Sequence, residues 1–202
     1  MALIWGSSFL FIELSLELTT AFGVAFWRTA LGALAMLALG FIFKIALPKK
    51  LSQWGHLWVA GFLMSAFPFT MYAFAQQFTT SILAAILNAT TPIFTLLAIV
   101  TIFRGQRQSA NAIIGLLVGL VGVGVTLGVW QGFGDNDQLA ILALVMASIS
   151  YGIGTPYIRK HITPMALAPT STAAVQVLTS ALTLLPFYVL TGPLFIAEPR
   201  VE

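Results

Sequence analysis

The sequence predicts an all-α polytopic membrane protein, and three observations predict it. Of the 202 residues, 59% are apolar and only 7% charged, where a soluble domain carries about 25% charged residues. The mean hydropathy is +0.98. The apolar residues gather in about seven stretches of the roughly 20 residues that a spanning helix needs. These stretches lack the period-2 alternation of a barrel strand, so helices must satisfy the backbone in lipid. Six acidic and nine basic residues cannot form the polar skin of a water-soluble fold of this length. The composition excludes disorder, and a net charge of +3 without a basic stripe excludes a nucleic-acid partner. There is no cysteine, which excludes disulfides, thiolate metal sites and cysteine catalysis.

The expected spans are Ala2–Leu18, Thr20–Ile45, Trp54–Gln77, Thr80–Phe103, Ala110–Trp130, Gln138–Ile158 and Met165–Leu190, each bounded by polar or turn residues. The first is not expected to be a cleavable signal peptide, since no Lys or Arg precedes it and Glu13 interrupts it. With the N-terminus in the cytoplasm and alternating spans, Lys44, Lys49, Lys50, Arg104, Arg107, Arg159 and Lys160 all fall inside. Only Arg28 and Arg200 do not. Lys and Arg set orientation, and seven against two fixes it. Asp135, Asp137, Glu198 and Glu202 fall outside, and Glu13 and Glu17 lie toward the outer end of the first span. Trp27, Trp54, Trp58 and Trp130 sit near span ends, as an aromatic belt requires.

A repeat divides the chain. Trp5-Gly6-Ser7-Ser8-Phe9-Leu10-Phe11-Ile12-Glu13 shares its pattern of aromatic, glycine and small residues with Tyr151-Gly152-Ile153-Gly154-Thr155-Pro156-Tyr157-Ile158-Arg159, offset by 146 residues or five spans. An odd number of spans turns the second copy upside down, and the charges agree: the first copy ends in Glu outside, the second in Arg-Lys inside. The division expected is a five-helix unit over 1–131 and the first two helices of an inverted second unit over 132–202. Inverted repeats are characteristic of secondary transporters.

Ile4-Trp5-Gly6-Ser7-Ser8-Phe9, Phe26-Trp27-Arg28-Thr29-Ala30-Leu31 and, most specifically, the fourth-span block from Thr80 through Asn88-Ala89-Thr90-Thr91-Pro92 to Thr95 resemble the EamA-type members of the drug/metabolite transporter superfamily. The resemblance implies a ten-helix carrier of two inverted five-helix repeats, moving small metabolites across the bacterial inner membrane without a cofactor. Against that pattern the chain reads as truncated after about seven helices. It then either transports or serves as a non-transporting accessory subunit, with a homodimer or a complementing C-terminal fragment as partner beside the lipid bilayer.

Ionisable groups within a membrane cost about 2.5–3.5 kcal/mol each on insertion scales and call for explanation. Glu13 and Arg28 reach similar depth on antiparallel neighbours: they either pair toward the bundle interior, lining the substrate path, or snorkel outward. Pro92 lacks an N–H and frees the carbonyl of Asn88 beside the Asn88 amide and the Thr90 and Thr91 hydroxyls. That break either lines a cavity or is a kink satisfied by neighbouring helices. Pro68, Tyr72 and Gln76 repeat at i+4 and share a face, suited either to a wet path or to the outer interface. Tyr151, Tyr157 and Gln176 are weaker counterparts in the second unit. Gly115-x-x-x-Gly119, with Gly122 and Gly124-x-x-x-Gly128, gives a flat face for helix packing within the protomer or across a dimer. Gly132-Phe133-Gly134-Asp135 matches an intramembrane aspartyl protease signature, but the only other aspartate, Asp137, lies in the same loop, and the segment reads as a turn. His56 and His161 lack ligand-spaced partners, so no metal is expected, and no nucleophile–base pair suggests an enzyme.

Overall fold

The computed structural model describes residues 2–103, 109–127 and 137–191. Among them every regular element is helical: α1 Ala2–Ser15, α2 Ala21–Ile42, α3 Leu51–Gly61, α4 Phe67–Ala75, α5 Ser81–Asn88, α6 Thr91–Thr101, α7 Ala110–Leu127, α8 Gln138–Tyr157 and α9 Pro169–Thr191. Among the described residues, five helical stretches are long and apolar enough to cross a bilayer: Ala21–Ile42, Leu51–Ala75, Ser81–Thr101, Gln138–Met165 and Pro169–Thr191. Arg104, Arg107, Gly128, Trp130, the Gly132–Asp135 turn, Glu198, Arg200 and Glu202 lie outside the described residues.

Side-chain oxygens set the helix starts. Thr20 caps α2 by accepting from the Gly23 N–H at 3.1 Å, Thr80 caps α5 by accepting from Leu83 at 3.3 Å, and Asp137 caps α8 by accepting from Leu139 at 2.6 Å. The second span ends three residues before the expected Ile45, because Lys44 turns left-handed at φ 51°. The third begins at Leu51 instead of Trp54: the Lys50 N–H donates to Gln53 Oε1 at 3.2 Å, and Trp54 Nε1 donates back to the Pro48 carbonyl at 2.9 Å. The sixth continues past Ile158 through a π-turn, Ile158–Ile162, and a 3₁₀ turn, Thr163–Met165.

Prolines explain the irregular turns. A π-turn at Phe62–Ala66 joins α3 to α4 two residues before Pro68, and the π-turn at Ile158–Ile162 ends two residues before Pro164. Widening the turn makes room for a ring that would otherwise meet the carbonyl four residues back. Pro92 acts differently, separating α5 from α6.

α2 and α9 make the most extensive interhelical contact, and α8 is wedged between α4 and α6. The main core joins Phe9, Ile12 and Leu16 of α1 and its following turn to Tyr72, Leu87, Leu144 and Tyr151. Two glycines permit these approaches. A Cβ on Gly152 would stand 2.5 Å from Phe94 Cβ and 2.8 Å from the Thr95 nitrogen, and one on Gly61 would stand 2.5 Å from the Gln176 carbonyl oxygen. The exterior is apolar: Phe41, Leu51 and Leu190 are more than four-fifths exposed, which suits lipid and not water.

The Lys49–Lys50 segment and the turn before α9 line one shared groove, and Lys160 stands 5.7 Å over the Phe103 ring. The described basic residues predicted to be cytoplasmic thus gather at one end of the bundle.

Candidate functional site

Five helices send polar side chains to one region. Tyr72 on α4, only 2% exposed, donates its hydroxyl to Asn88 Oδ1 at 2.7 Å. Thr91 donates to the same oxygen at 3.3 Å. Asn88 is the last residue of α5 and Thr91 the first of α6, so the helix break itself presents the amide. Tyr151 of α8 stacks on Tyr72 with centroids 6.2 Å apart, and Phe9 of α1 meets Tyr72 edge-on at 5.2 Å. Arg28 of α2 lays its guanidinium 4.1 Å over the Phe69 ring.

These groups enclose a chamber of about 20 Å³ lined by Ser8, Phe9, Ile12, Arg28, Phe69, Tyr72, Asn88 and Tyr151. That is room for about one water molecule. Beside it, a groove of about 670 Å³ opens between α1 and α2 and is walled by Phe11, Leu18, Trp27 and Leu31. Ser8, Ile12 and Arg28 line both spaces and so form the partition between them.

The break at Asn88 is well supported. The Leu87 carbonyl accepts from Thr90 Oγ1 at 2.6 Å and from Ser148 Oγ of α8 at 3.1 Å. Neighbouring hydroxyls therefore serve backbone near the break, while the Asn88 side chain faces the chamber.

A model of the EamA-like transporter family matches residues 1–128 of this chain. The chain belongs to the EamA-like transporter family. It is a membrane transporter of the drug/metabolite transporter type. No curated protein and no solved structure matches it.

Of the residues marked in this EamA-like chain by sequence, Arg28, Tyr72 and Asn88 meet at the chamber, Thr91 joins them by its hydrogen bond, and Pro92 opens α6. Gln76 stands one turn from Tyr72 and is buried, with neither amide atom hydrogen-bonded. Glu13 is not brought to the site. The buried stripe of α1 runs through Phe9 and Ile12, and the helical period puts Glu13 on the flank of that stripe away from Ser8. Glu13 is exposed, lines neither space, and makes no ion pair with Arg28. Attraction to Phe69 offsets up to about 2 kcal/mol of the cost of holding Arg28 in the membrane.

Among the described residues, a Cβ on Gly115, Gly119 or Gly122 of α7 would meet no atom within 4 Å. Within the protomer, close helix approach comes from Gly61 and Gly152 instead. Sequence reasoning did not single out Ser8 or Phe69. Ser8 lies inside the repeated motif and Phe69 beside Pro68, which are the signals available for them. A second cluster was read as two separate histidines. His56 Nδ1 and the Tyr157 hydroxyl are hydrogen-bonded at 2.7 Å, and the His56 and His161 rings stack at 5.0 Å. No group of three or more metal-ligating side chains occurs among the described residues.

Proposed function

We propose that this chain is a secondary carrier that exports or exchanges small polar metabolites across the bacterial inner membrane by alternating access. The observation that carries the reading is the convergence of Arg28, Tyr72, Asn88 and Tyr151 from α2, α4, α5 and α8 on a chamber with an open groove on one side. A carrier needs hydrogen-bonding groups and interrupted helix where the substrate sits, and barriers that exchange on either side of it. In the captured arrangement the chamber is closed down to about one water, so substrate entry requires α1 and α2 to move relative to α4 and α8.

The two-unit organisation, 1–131 followed by an inverted beginning over 132–202, supplies that motion. The repeat makes α2 and α9 counterparts, and they make the most extensive helix contact. Counterparts related by an axis in the membrane plane can meet along it, which supports the inverted relation.

Purified chain in liposomes, loaded with a mixed pool of polar metabolites, should exchange a subset of them, and a strain lacking the gene should accumulate the same solutes. Failure to move any solute under any imposed gradient would refute the transport reading. The alternative is a non-transporting subunit of a split carrier or a homodimer. It draws support from the open α1–α2 groove and from Gly115 and Gly119 of α7, beside which an added Cβ would meet no described atom. It predicts a larger particle that transports only when a complementing fragment or second copy is present.

A further inference from the structure

We propose that the transported molecule carries a single carboxylate, and that Arg28 recognises it at the partition between the groove and the chamber. The inference rests on the carrier reading and adds the charge and chemical class of the substrate. Among the described residues, Arg28 is the only charged side chain lining either the groove or the chamber, and it pairs with no carboxylate and makes no hydrogen bond there. A guanidinium stays protonated in any protein environment and presents a planar fork of N–H donors that matches a carboxylate. Phe69 covers one face of that plane, which leaves the edge with its donors for a ligand.

The remaining polar groups point to the same chemistry. Asn88 Oδ1 already accepts from Tyr72 and Thr91, so its acceptor side is filled while its amide N–H groups donate to no atom of the described residues. The Tyr151 and Ser8 hydroxyls, both lining the chamber, likewise make no protein hydrogen bond among the described residues. The unsatisfied capacity at the site is therefore mostly that of donors, around one fixed positive charge. A carboxylate is an acceptor-only group and fits such a set. An ammonium ion offers only donors and is repelled by Arg28 in a medium of low dielectric. One cation balances one anion, which favours a monocarboxylate over a dicarboxylate. Phe9, Phe69 and Tyr72 wall the chamber and suit a compact organic body.

The test uses the full chain in detergent with matched probes: lactate, glutamate, succinate and benzoate against their amides, and ethanolamine as the amine. Melting temperature and quenching of tryptophan fluorescence are the readouts, since Trp27 lines the groove beside Arg28. At least one of the monocarboxylates lactate and benzoate should stabilise the protein and quench it, with its amide at least tenfold weaker, succinate and glutamate weaker than it, and the amine silent; a dicarboxylate binding more tightly than both would overturn the assignment. Arg28→Gln should weaken carboxylate binding at least tenfold without lowering the melting temperature of the unliganded protein. Arg28→Lys, which keeps the charge without the fork, should fall between. Counterflow of the bound carboxylate in liposomes then separates two failures. Binding without counterflow would leave the anion site standing and remove the carrier reading. Counterflow of an amine or amide, or of a carboxylate at an unchanged rate in Arg28→Gln, would overturn the carboxylate assignment and leave transport intact. Silence from every carboxylate in the panel would overturn it as well.

Discussion

Two proline-bearing helices pass through the middle of this molecule and solve the same problem in opposite ways. In the third span, Pro68 is absorbed by a π-turn, and the α3–α4 rod continues with its irregular turn covered: Ser150 of α8 donates to the Leu63 carbonyl at 2.8 Å. In the fourth span, Pro92 separates α5 from α6, and the gap presents Asn88 to the chamber. Both irregularities lean on α8, which offers Ser150 to one and Ser148 to the other. Two residues apart on a helix is about 200° of rotation, so the two serines face opposite sides of the wedge. The two breaks differ in what lies beside them: the turn before Pro68 has its Leu63 carbonyl covered by Ser150, whereas beside Pro92 the Asn88 side chain lines the chamber.

Pushing α8 out of its wedge gives the largest expected effect, because it disturbs both breaks at once. Gly152→Leu places a side chain where a Cβ already stands 2.5 Å from Phe94. Rigid backbone lies behind that contact, so about 3 kcal/mol or more of stability should be lost, seen as a collapse in folded yield after detergent extraction. Gly119→Leu on the open face of α7 should leave the extracted protein's melting temperature unchanged. If both variants behaved alike, the wedge would not be what supports the two broken helices.

The next effect distinguishes the breaks from one another. Asn88→Ala strips the acceptor to which the Tyr72 hydroxyl donates and leaves it only Ser148, at a cost of about 1–2 kcal/mol, and transport should fall with it. Ser150→Ala removes one hydrogen bond to the π-turn and should cost about 1 kcal/mol, with transport per folded molecule unchanged. Melting curves and counterflow rates on the same preparations measure both. Loss of transport in Ser150→Ala at full folded yield would dissolve the contrast between the covered break and the functional one.

Much of this was legible in the sequence, for a physical reason. Lipid permits so few backbone solutions that long apolar stretches, Thr and Asp caps, and prolines identify the helices almost unaided. Tyr72 and Asn88 were readable because a polar group in a span must be explained. What could not be read was the rotation of each helix about its own axis where its apolar residues run all round. Seven of the fourteen residues of α1 are Leu, Ile or Phe, so composition gave no sign that Phe9 and Ile12 would turn inward and leave Glu13 outside the chamber lining. For the same reason no pattern singled out Gly61 of α3 or Gly152 and Gly154 of α8 for the close approach they make to their neighbours. The His56–Tyr157–His161 cluster joins positions about a hundred residues apart, a distance no local pattern bridges.

The smallest expected effect concerns Glu13. An exposed carboxylate that lines neither space has no direct contact with the chamber, so Glu13→Gln should leave transport rate and its pH dependence unchanged and shift stability by no more than about 0.5 kcal/mol. The outcome bears on the comparison because it isolates charge from location. Glu13 and Arg28 sit at similar depth on neighbouring helices, yet only Arg28 borders the chamber. If Glu13→Gln altered the pH profile, Glu13 would have to face the path in another conformation of the carrier, with α1 rotated about its axis. The flank now carrying Glu13 would then replace Ser8 beside Arg28, and the pair expected from the sequence would belong to that second state.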